Sequence, residues 1–332
     1  MIPIVSRQLQ RGVNLARRNL DHLTWSQLRY HSRRSKAITR HQSFLPSLSA
    51  RDRLLLQALR QDGIAITSLE ELQLPKTDEF LAAAAEVQRT LSQSSLNGLH
   101  QHEFLLTASA SLLASQPSLF TWGLQPRLLN LVECYQQLPV AYHGVYLRRD
   151  LARGRIVRSR LWHTDMEDEH TLKVIVYLHA MDEQSGPFQY LPKSITQGVQ
   201  EQLGGTCGYI RPGRVEQLVS PQRWRSCTGP RGTVILVDTG SLIHRGAVPQ
   251  RDDRYAIFFD YTSRLPQRPY YCKSSLSPVE LEQVTEGLSP AQKACIWWRA
   301  AQDKYQNEPK SSNKEALILP ARQCFLSLLG LS

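Results

Sequence analysis

No stretch of the chain is long and apolar enough to cross a membrane. None approaches the roughly 20 residues that a spanning helix needs, and the apolar ending from Cys324 to Leu331 is far too short. The six cysteines (Cys134, Cys207, Cys227, Cys272, Cys295, Cys324) are scattered, with no pair in CxxC spacing. A disulfide scaffold or zinc knuckle is therefore not expected, and reduced structural thiols are. The chain also lacks internal repeats, low-complexity tracts and the apolar segment of a signal peptide, so the expected compartment is the cytoplasm. Acidic residues are nearly missing from the first forty positions, which hold nine Arg or Lys against Asp21 alone. That arm carries +8 of the formal +11 and leaves +3 for the other 292 residues. The body thus does not read as a nucleic-acid binder. The basic arm would suit an acidic partner, a membrane surface or RNA. A solvated helix is the plainer reading, and an Arg-rich, acid-poor organelle transit segment stays open although serines are few.

What is present is enough for one large domain with a full core. Three segments are expected: a basic arm over 1–44, a main domain over 45–270 and a helical extension over 271–332. A helical stretch opens at Pro46 and closes at Asp62-Gly63, and Ile64 and Ile66 alternate as in a short strand. Residues 76–137 read mainly as helix. From about 140 the period changes to two. Val145–Leu147, Ile156-Val157, Leu172–Leu178, Thr233–Val237 and Tyr255–Asp260 read as short strands separated by Gly and Pro. Many short strands without intervening helices predict a mainly β fold with flanking helices, of sandwich, barrel or jelly-roll type. Ser289-Pro290 then opens a helix expected to run to Tyr305.

Trp162-His163-Thr164-Asp165 places an imidazole and a carboxylate two residues apart, on one face of an extended strand. His-x-Asp alone is a common coincidence. Its weight comes from residues about eighty positions downstream. There a buried strand over Gly232–Val237 leads to a turn at Asp238-Thr239-Gly240, then to His244 and, ten residues on, to Arg254. Arg254, Ala256 and Phe258 share a face. If that face is interior, the guanidinium needs an anionic partner, and its rigid fork suits a carboxylate. Two His and one carboxylate form the facial set of non-heme Fe(II) oxygenases, which leaves three coordination positions open. The expected cofactor set is Fe(II), with 2-oxoglutarate and O2 as cosubstrates. The distal carboxylate of 2-oxoglutarate would reach Arg254, and turnover would release succinate and CO2.

Taken in order, several segments resemble the phytanoyl-CoA dioxygenase superfamily over roughly residues 45–265. They are Asp62–Ile66, Trp162–Asp165, Lys173–Leu178, Gly186–Pro192, His244-Arg245-Gly246 and Arg254–Ile257. The resemblance implies a double-stranded β-helix (a cupin-like jelly roll) with His163, Asp165 and His244 as iron ligands and Arg254 as cosubstrate anchor. It departs at Lys193-Ser194-Ile195, where the family often has Gly-Ser-His, which puts substrate-loop contacts in doubt. Related halogenases replace the ligand carboxylate with a small residue. The presence of Asp165 therefore implies hydroxylation or a related oxidation rather than halogenation, and the resemblance implies a small-molecule, carrier-tethered or CoA-tethered substrate.

Other residues have plainer roles to weigh. Tyr177 could hydrogen-bond the cosubstrate or simply fill the core, and Lys173 invites the same question. Trp162 should pack inside, His170 and His179 should serve turns or surface, and Arg251 should face solvent. The run Glu167-Asp168-Glu169 should form a solvated turn, and Trp297-Trp298 should pack on the body. Three competing functions remain: a zinc-type hydrolase, since the same donors suit zinc, a non-catalytic cupin-like binding protein, and an RNA-directed oxygenase suggested only by the basic arm.

Overall fold

Strand-forming segments here are apolar on both faces, and the computed structural model shows why. It describes residues 25–94, 104–152, 155–204 and 208–299, and the fold belongs to the compact unit Met1–Trp298. Eleven strands are described: β1 (Ile64–Ser68), β2 (Leu105–Thr107), β3 (Val140–Asp150), β4 (His163–Thr164), β5 (Leu172–Tyr177), β6 (Phe188–Tyr190), β7 (Gly208–Tyr209), β8 (Arg225–Cys227), β9 (Thr233–Asp238), β10 (His244–Gly246) and β11 (Arg254–Ser263). They form a six-stranded sheet ordered β1-β9-β5-β11-β3-β2 and a five-stranded sheet ordered β7-β4-β10-β6-β8. All the pairings are antiparallel. From β3 onward the chain moves repeatedly from one sheet to the other.

Alternation assigns the two faces of the larger sheet. Val174, Val176, Val234, Leu236, Ile257 and Phe259 join the core shared with the helices. Ile175, Tyr177, Ile235, Val237 and Ala256 face the other way and pack with Phe188 and Cys227 of the smaller sheet. Strands covered on both faces need apolar residues at every position, hence the near-continuous runs. The helix side is anchored by an aromatic cluster in which Trp122 lies 4.6 Å from Phe80 and 5.2 Å from Phe259.

Local rules set the helix ends. Helix Ala50–Asp62 starts where the Ser49 side chain accepts from the Asp52 amide, four residues after the expected Pro46. It ends at Gly63, whose φ of 75° suits glycine. Helix Pro290–Ile296 has the expected Ser289 cap, completed as a capping box by Gln292. It is interrupted at Trp297; Trp298 and Arg299 are helical again, and the rest of the expected run to Tyr305 lies outside the described residues. Leu276, Leu281, Val284 and Ile296 join the main core, so residues 276–296 are packed into it.

Three further expectations are corrected. Ile156 and Val157 form no strand, and the chain runs irregularly there into a 3-10 turn at Arg158–Arg160. A helix, Lys193–Gln202, intervenes among the strands and buries Thr196 and Val199. The basic arm and the acidic run also find each other. Residues 25–41 are helical, and Arg34 is buried against Asp168 at 3.3 Å while the Tyr30 hydroxyl donates to the same carboxylate at 2.5 Å. Asp168 also accepts the Gln267 amide, and His31 and His41 lie near Glu169 and Glu133. The described part of the arm is thus docked through Arg34 and Tyr30 while most of its side chains stay exposed, and residues 1–24 lie outside the described part.

Removing one member of a buried ion pair leaves the other charge stranded, at a cost of about 3–5 kcal/mol. Replacing Arg34 with Met should therefore lower unfolding free energy by about 3 kcal/mol in urea titrations. An unchanged midpoint would mean that the helix contributes nothing to the fold.

Candidate metal centre

Two histidines far apart in sequence become direct neighbours through strand pairing. In the smaller sheet β4 and β10 pair so that His163 stands opposite His244, with ring centroids 4.2 Å apart. Asp165 leaves β4 directly after Thr164, and its amide donates to the Thr239 carbonyl in the turn that precedes β10. That turn is tight against the ligand loop: a side chain at Gly240 would meet the Asp168 carbonyl at 2.6 Å, so only glycine fits. As the sequence predicts, His163, Asp165 and His244 converge, with their ligand atoms all within 4.8 Å of one another.

The donor chemistry fits a divalent cation. Nδ1 of His163 lies 2.8 Å from the Leu161 carbonyl, and Nδ1 of His244 lies 2.9 Å from the Leu242 carbonyl. A carbonyl only accepts, so each Nδ1 carries the proton and each Nε2 presents a lone pair. Those Nε2 atoms face Asp165 Oδ1 at 3.7 and 4.0 Å, beyond hydrogen-bond range. Burial, aided by the charge on His163, pushes the His244 pKa down to about 3, and burial also lowers that of His163. Both rings are therefore neutral near pH 7 and available to a metal. Burial would raise the Asp165 pKa, but the Lys173 ammonium, 2.8 Å from Oδ2, leads the charges that hold it well below the usual range.

A cavity opens beside these donors, lined among others by Lys173, Tyr177, Phe188, Arg254 and Phe258. Arg254 is buried as predicted, but its anionic partner is already in the chain. Nε and Nη2 donate to Asp150 Oδ2 at 3.1 and 2.6 Å, and Nη1 donates to the Gly186 carbonyl. The burial argument for a cosubstrate at Arg254 is thereby answered by Asp150. Two of the five guanidinium N–H bonds remain available. Gly246 makes room for the group, since a Cβ there would sit 2.8 Å from Nη2.

Tyr177 lines the cavity with its ring, while its hydroxyl donates to the Cys227 carbonyl and accepts the Phe188 amide. Its one proton is already donated, so it cannot also serve a carboxylate. Lys173 serves Asp165 and, at 3.9 Å, Asp260. Trp162 packs inside against Trp224. His170 is held by Asp238, His179 accepts the Tyr255 amide, and Arg251 pairs with Asp182 at the surface. Trp298 is buried against His143, and Trp297 is part-exposed. The expected solvated turn at 167–169 is only partly so: Asp168 is buried, Glu167 and Glu169 are half-buried, and burial beside Asp165 pushes Glu167 up to about 7. Arg148, Asp150 and Asp260, all near this site, are not among the residues that the sequence singles out. Alternation could have found them: Tyr146, Arg148 and Asp150 share a face of β3, and Asp260 continues the Arg254 face of β11.

No family model matches the chain, and no curated protein is a significant match. Several solved structures overlap it in part. EctD from S. alaskensis with 2-oxoglutarate and 5-hydroxyectoine aligns at 19% identity over 65% of this chain and 76% of that one, with a TM-score of 0.46. The non-heme alpha ketoglutarate dependent epimerase SnoN from nogalamycin biosynthesis aligns at 15% identity over 65% and 84%, with a TM-score of 0.44. HygX from Streptomyces hygroscopicus with nickel, 2-oxoglutarate and hygromycin B bound aligns at 15% identity over 64% and 87%, with a TM-score of 0.43. Likeness at this level assigns neither fold nor chemistry, and both rest on the geometry alone.

The depressed His244 pKa has a signed consequence. Between about pH 6.5 and 3 the unfolded chain binds a proton at this residue that the folded chain does not. Stability of the metal-free protein should therefore fall as pH drops through that window, by up to about 1.4 kcal/mol per pH unit from this residue. The urea midpoint of wild type should decline more steeply from pH 6.5 to 5 than that of His244→Gln. Equal slopes would contradict the assignment.

Proposed function

We propose that the chain is an Fe(II)- and 2-oxoglutarate-dependent dioxygenase that hydroxylates a small-molecule, carrier-tethered or CoA-tethered substrate. The observation that carries this reading is the buried pair of neutral imidazoles with one carboxylate, each imidazole fixed with Nε2 toward the same point. Such a set leaves half of an octahedron for exchangeable ligands. We also read the two antiparallel sheets as a double-stranded β-helix. The strand order and the repeated crossing between sheets support that topology, and the motif order supports the phytanoyl-CoA dioxygenase superfamily.

In this reading His163, Asp165 and His244 would hold the metal. Lys173 neutralises the outer oxygen of Asp165 and keeps the inner one turned toward the imidazoles. Arg254, oriented by Asp150 and Gly186, offers its two remaining N–H bonds to the distal carboxylate of 2-oxoglutarate. Tyr177 contributes a ring wall rather than a hydrogen bond. The apolar lining from Ile175, Phe188 and Phe258 excludes water around the reacting groups. Iron with 2-oxoglutarate, when bound, supplies the oxidising chemistry that converts 2-oxoglutarate and O2 to succinate and CO2 while one oxygen atom enters a substrate C–H bond.

A zinc-type hydrolase is the second reading. The donors fit it, and Arg254 no longer separates the two, because Asp150 already accounts for the buried guanidinium. Cosubstrate dependence does separate them. Anaerobic Fe(II) and 2-oxoglutarate together should give a metal-to-ligand charge-transfer absorption, and O2 should then release succinate. Substituting His163 with Ala should abolish both signals. In Arg254→Ala, 2-oxoglutarate affinity should fall roughly 10- to 100-fold with the loss of charge-assisted hydrogen bonds, and metal affinity much less. Unaltered 2-oxoglutarate affinity in that variant would refute the Arg254 role. Metal uptake by wild type without any charge-transfer band would favour the hydrolase.

A further inference from the structure

Three cationic side chains line the cavity beside the metal centre, and two of them are committed. Arg254 is paired with Asp150, and Lys173 with Asp165 and Asp260. The third, Arg148, makes no ion pair and no hydrogen bond among the described residues, and its Nε is buried with no partner. It projects from β3 on the same face as Tyr146 and Asp150, opposite Ala256 of β11. Ala256 in turn stands opposite Tyr177 of β5. A methyl group thus separates two long side chains in that row, which leaves space above it. The guanidinium lies 4.9 Å from the Phe258 ring centroid and 5.2 Å from that of Tyr146. Ring contact restricts its orientation and partly offsets burial, but rings accept no hydrogen bond in the plane of the guanidinium. A buried donor left in that state is costly unless a ligand satisfies it.

We propose that Arg148 is a substrate-binding, specificity-determining residue, and that the substrate carries an oxyanion, a carboxylate or phosphate, that seats on this guanidinium. The inference rests on the reading of the cavity as an oxygenase site. An oxyanion matches the planar donor fork, and Ser159, which lines the same cavity, has a hydroxyl that can donate to an anion bound there. The Phe258 and Tyr146 rings hold the guanidinium in place before the ligand arrives, so little ordering is needed on binding. The cosubstrate does not need this group, because Arg254 retains two N–H bonds of its own.

The test uses the full chain loaded with Ni(II) and 2-oxoglutarate, titrated calorimetrically with benzoate, with methylphosphonate and with neutral benzamide. At least one of the two anions should bind at one per chain, and benzamide should not. Arg148→Met should weaken that anion roughly 10- to 100-fold, the loss of a charge-assisted pair of hydrogen bonds, and Arg148→Lys should retain part of the affinity. Both variants should take up 2-oxoglutarate as wild type does. Which anion binds separates carboxylate from phosphate substrates. Absence of anion binding to loaded wild type, or equal binding by Arg148→Met, overturns the proposal. A parallel loss of 2-oxoglutarate affinity in Arg148→Met also overturns it, since the residue would then serve the cosubstrate. Wild type that takes up neither Ni(II) nor 2-oxoglutarate sinks the oxygenase reading itself, and this proposal with it.

Discussion

The pairing of β4 with β10 is the constraint on which the site depends. Each strand is two or three residues long, yet their register sets His163 against His244 and leaves Asp165 to turn in beside them. A slip of one residue would send each imidazole to the opposite face of the sheet. The register is held from several sides: β4 also pairs with β7, β10 with β6, and the Asp165 amide is tied to the turn that precedes β10. That turn is fixed further by Asp238, buried completely, which accepts from the Tyr135 hydroxyl and contacts His170.

Around this centre the protein buries several charged side chains. Apart from Arg148, the cations fall into sets with carboxylates: Arg254 with Asp150, Lys173 with Asp165 and Asp260, Arg34 with Asp168. Each set joins elements distant in sequence, and each lies within one strand or loop of the ligands. Ion pairs of this kind add little net stability compared with apolar packing, but they penalise any arrangement that separates the partners. Their effect here is to hold the ligand loop between the docked helix over 25–41 on one side and the larger sheet on the other.

Much of this was legible in the sequence, and the pattern of success has a physical cause. The strands over 172–177, 233–238 and 254–263 follow from near-continuous apolar runs bounded by turn residues, and that over 64–68 from the alternation of Ile64 and Ile66. The convergence of His163, Asp165 and His244 follows from spacing, because i and i+2 in an extended segment share a direction, and a histidine after a buried strand can return to it. What was not legible is whatever depends on long-range partners. The burial of Arg254 could be read from alternation on its own strand, but Asp150 lies on another strand, more than a hundred positions earlier, and nothing local ties the two. The docking of Arg34 on Asp168 escaped for the same reason, since a basic helix and an acidic turn each look solvent-facing alone. Helix Lys193–Gln202 was hidden by poor intrinsic formers (Ile195, Thr196 and Gly198), although Ile195 and Val199 sit at helical spacing and pack together.

If His163, Asp165 and His244 share one metal ion, the coordination shell of that ion records it. X-ray absorption at the iron edge of Fe(II)-loaded protein should report a six-coordinate site of oxygen and nitrogen donors with scattering from two imidazoles. A shell containing sulfur, or one with no imidazole scattering, would contradict the account.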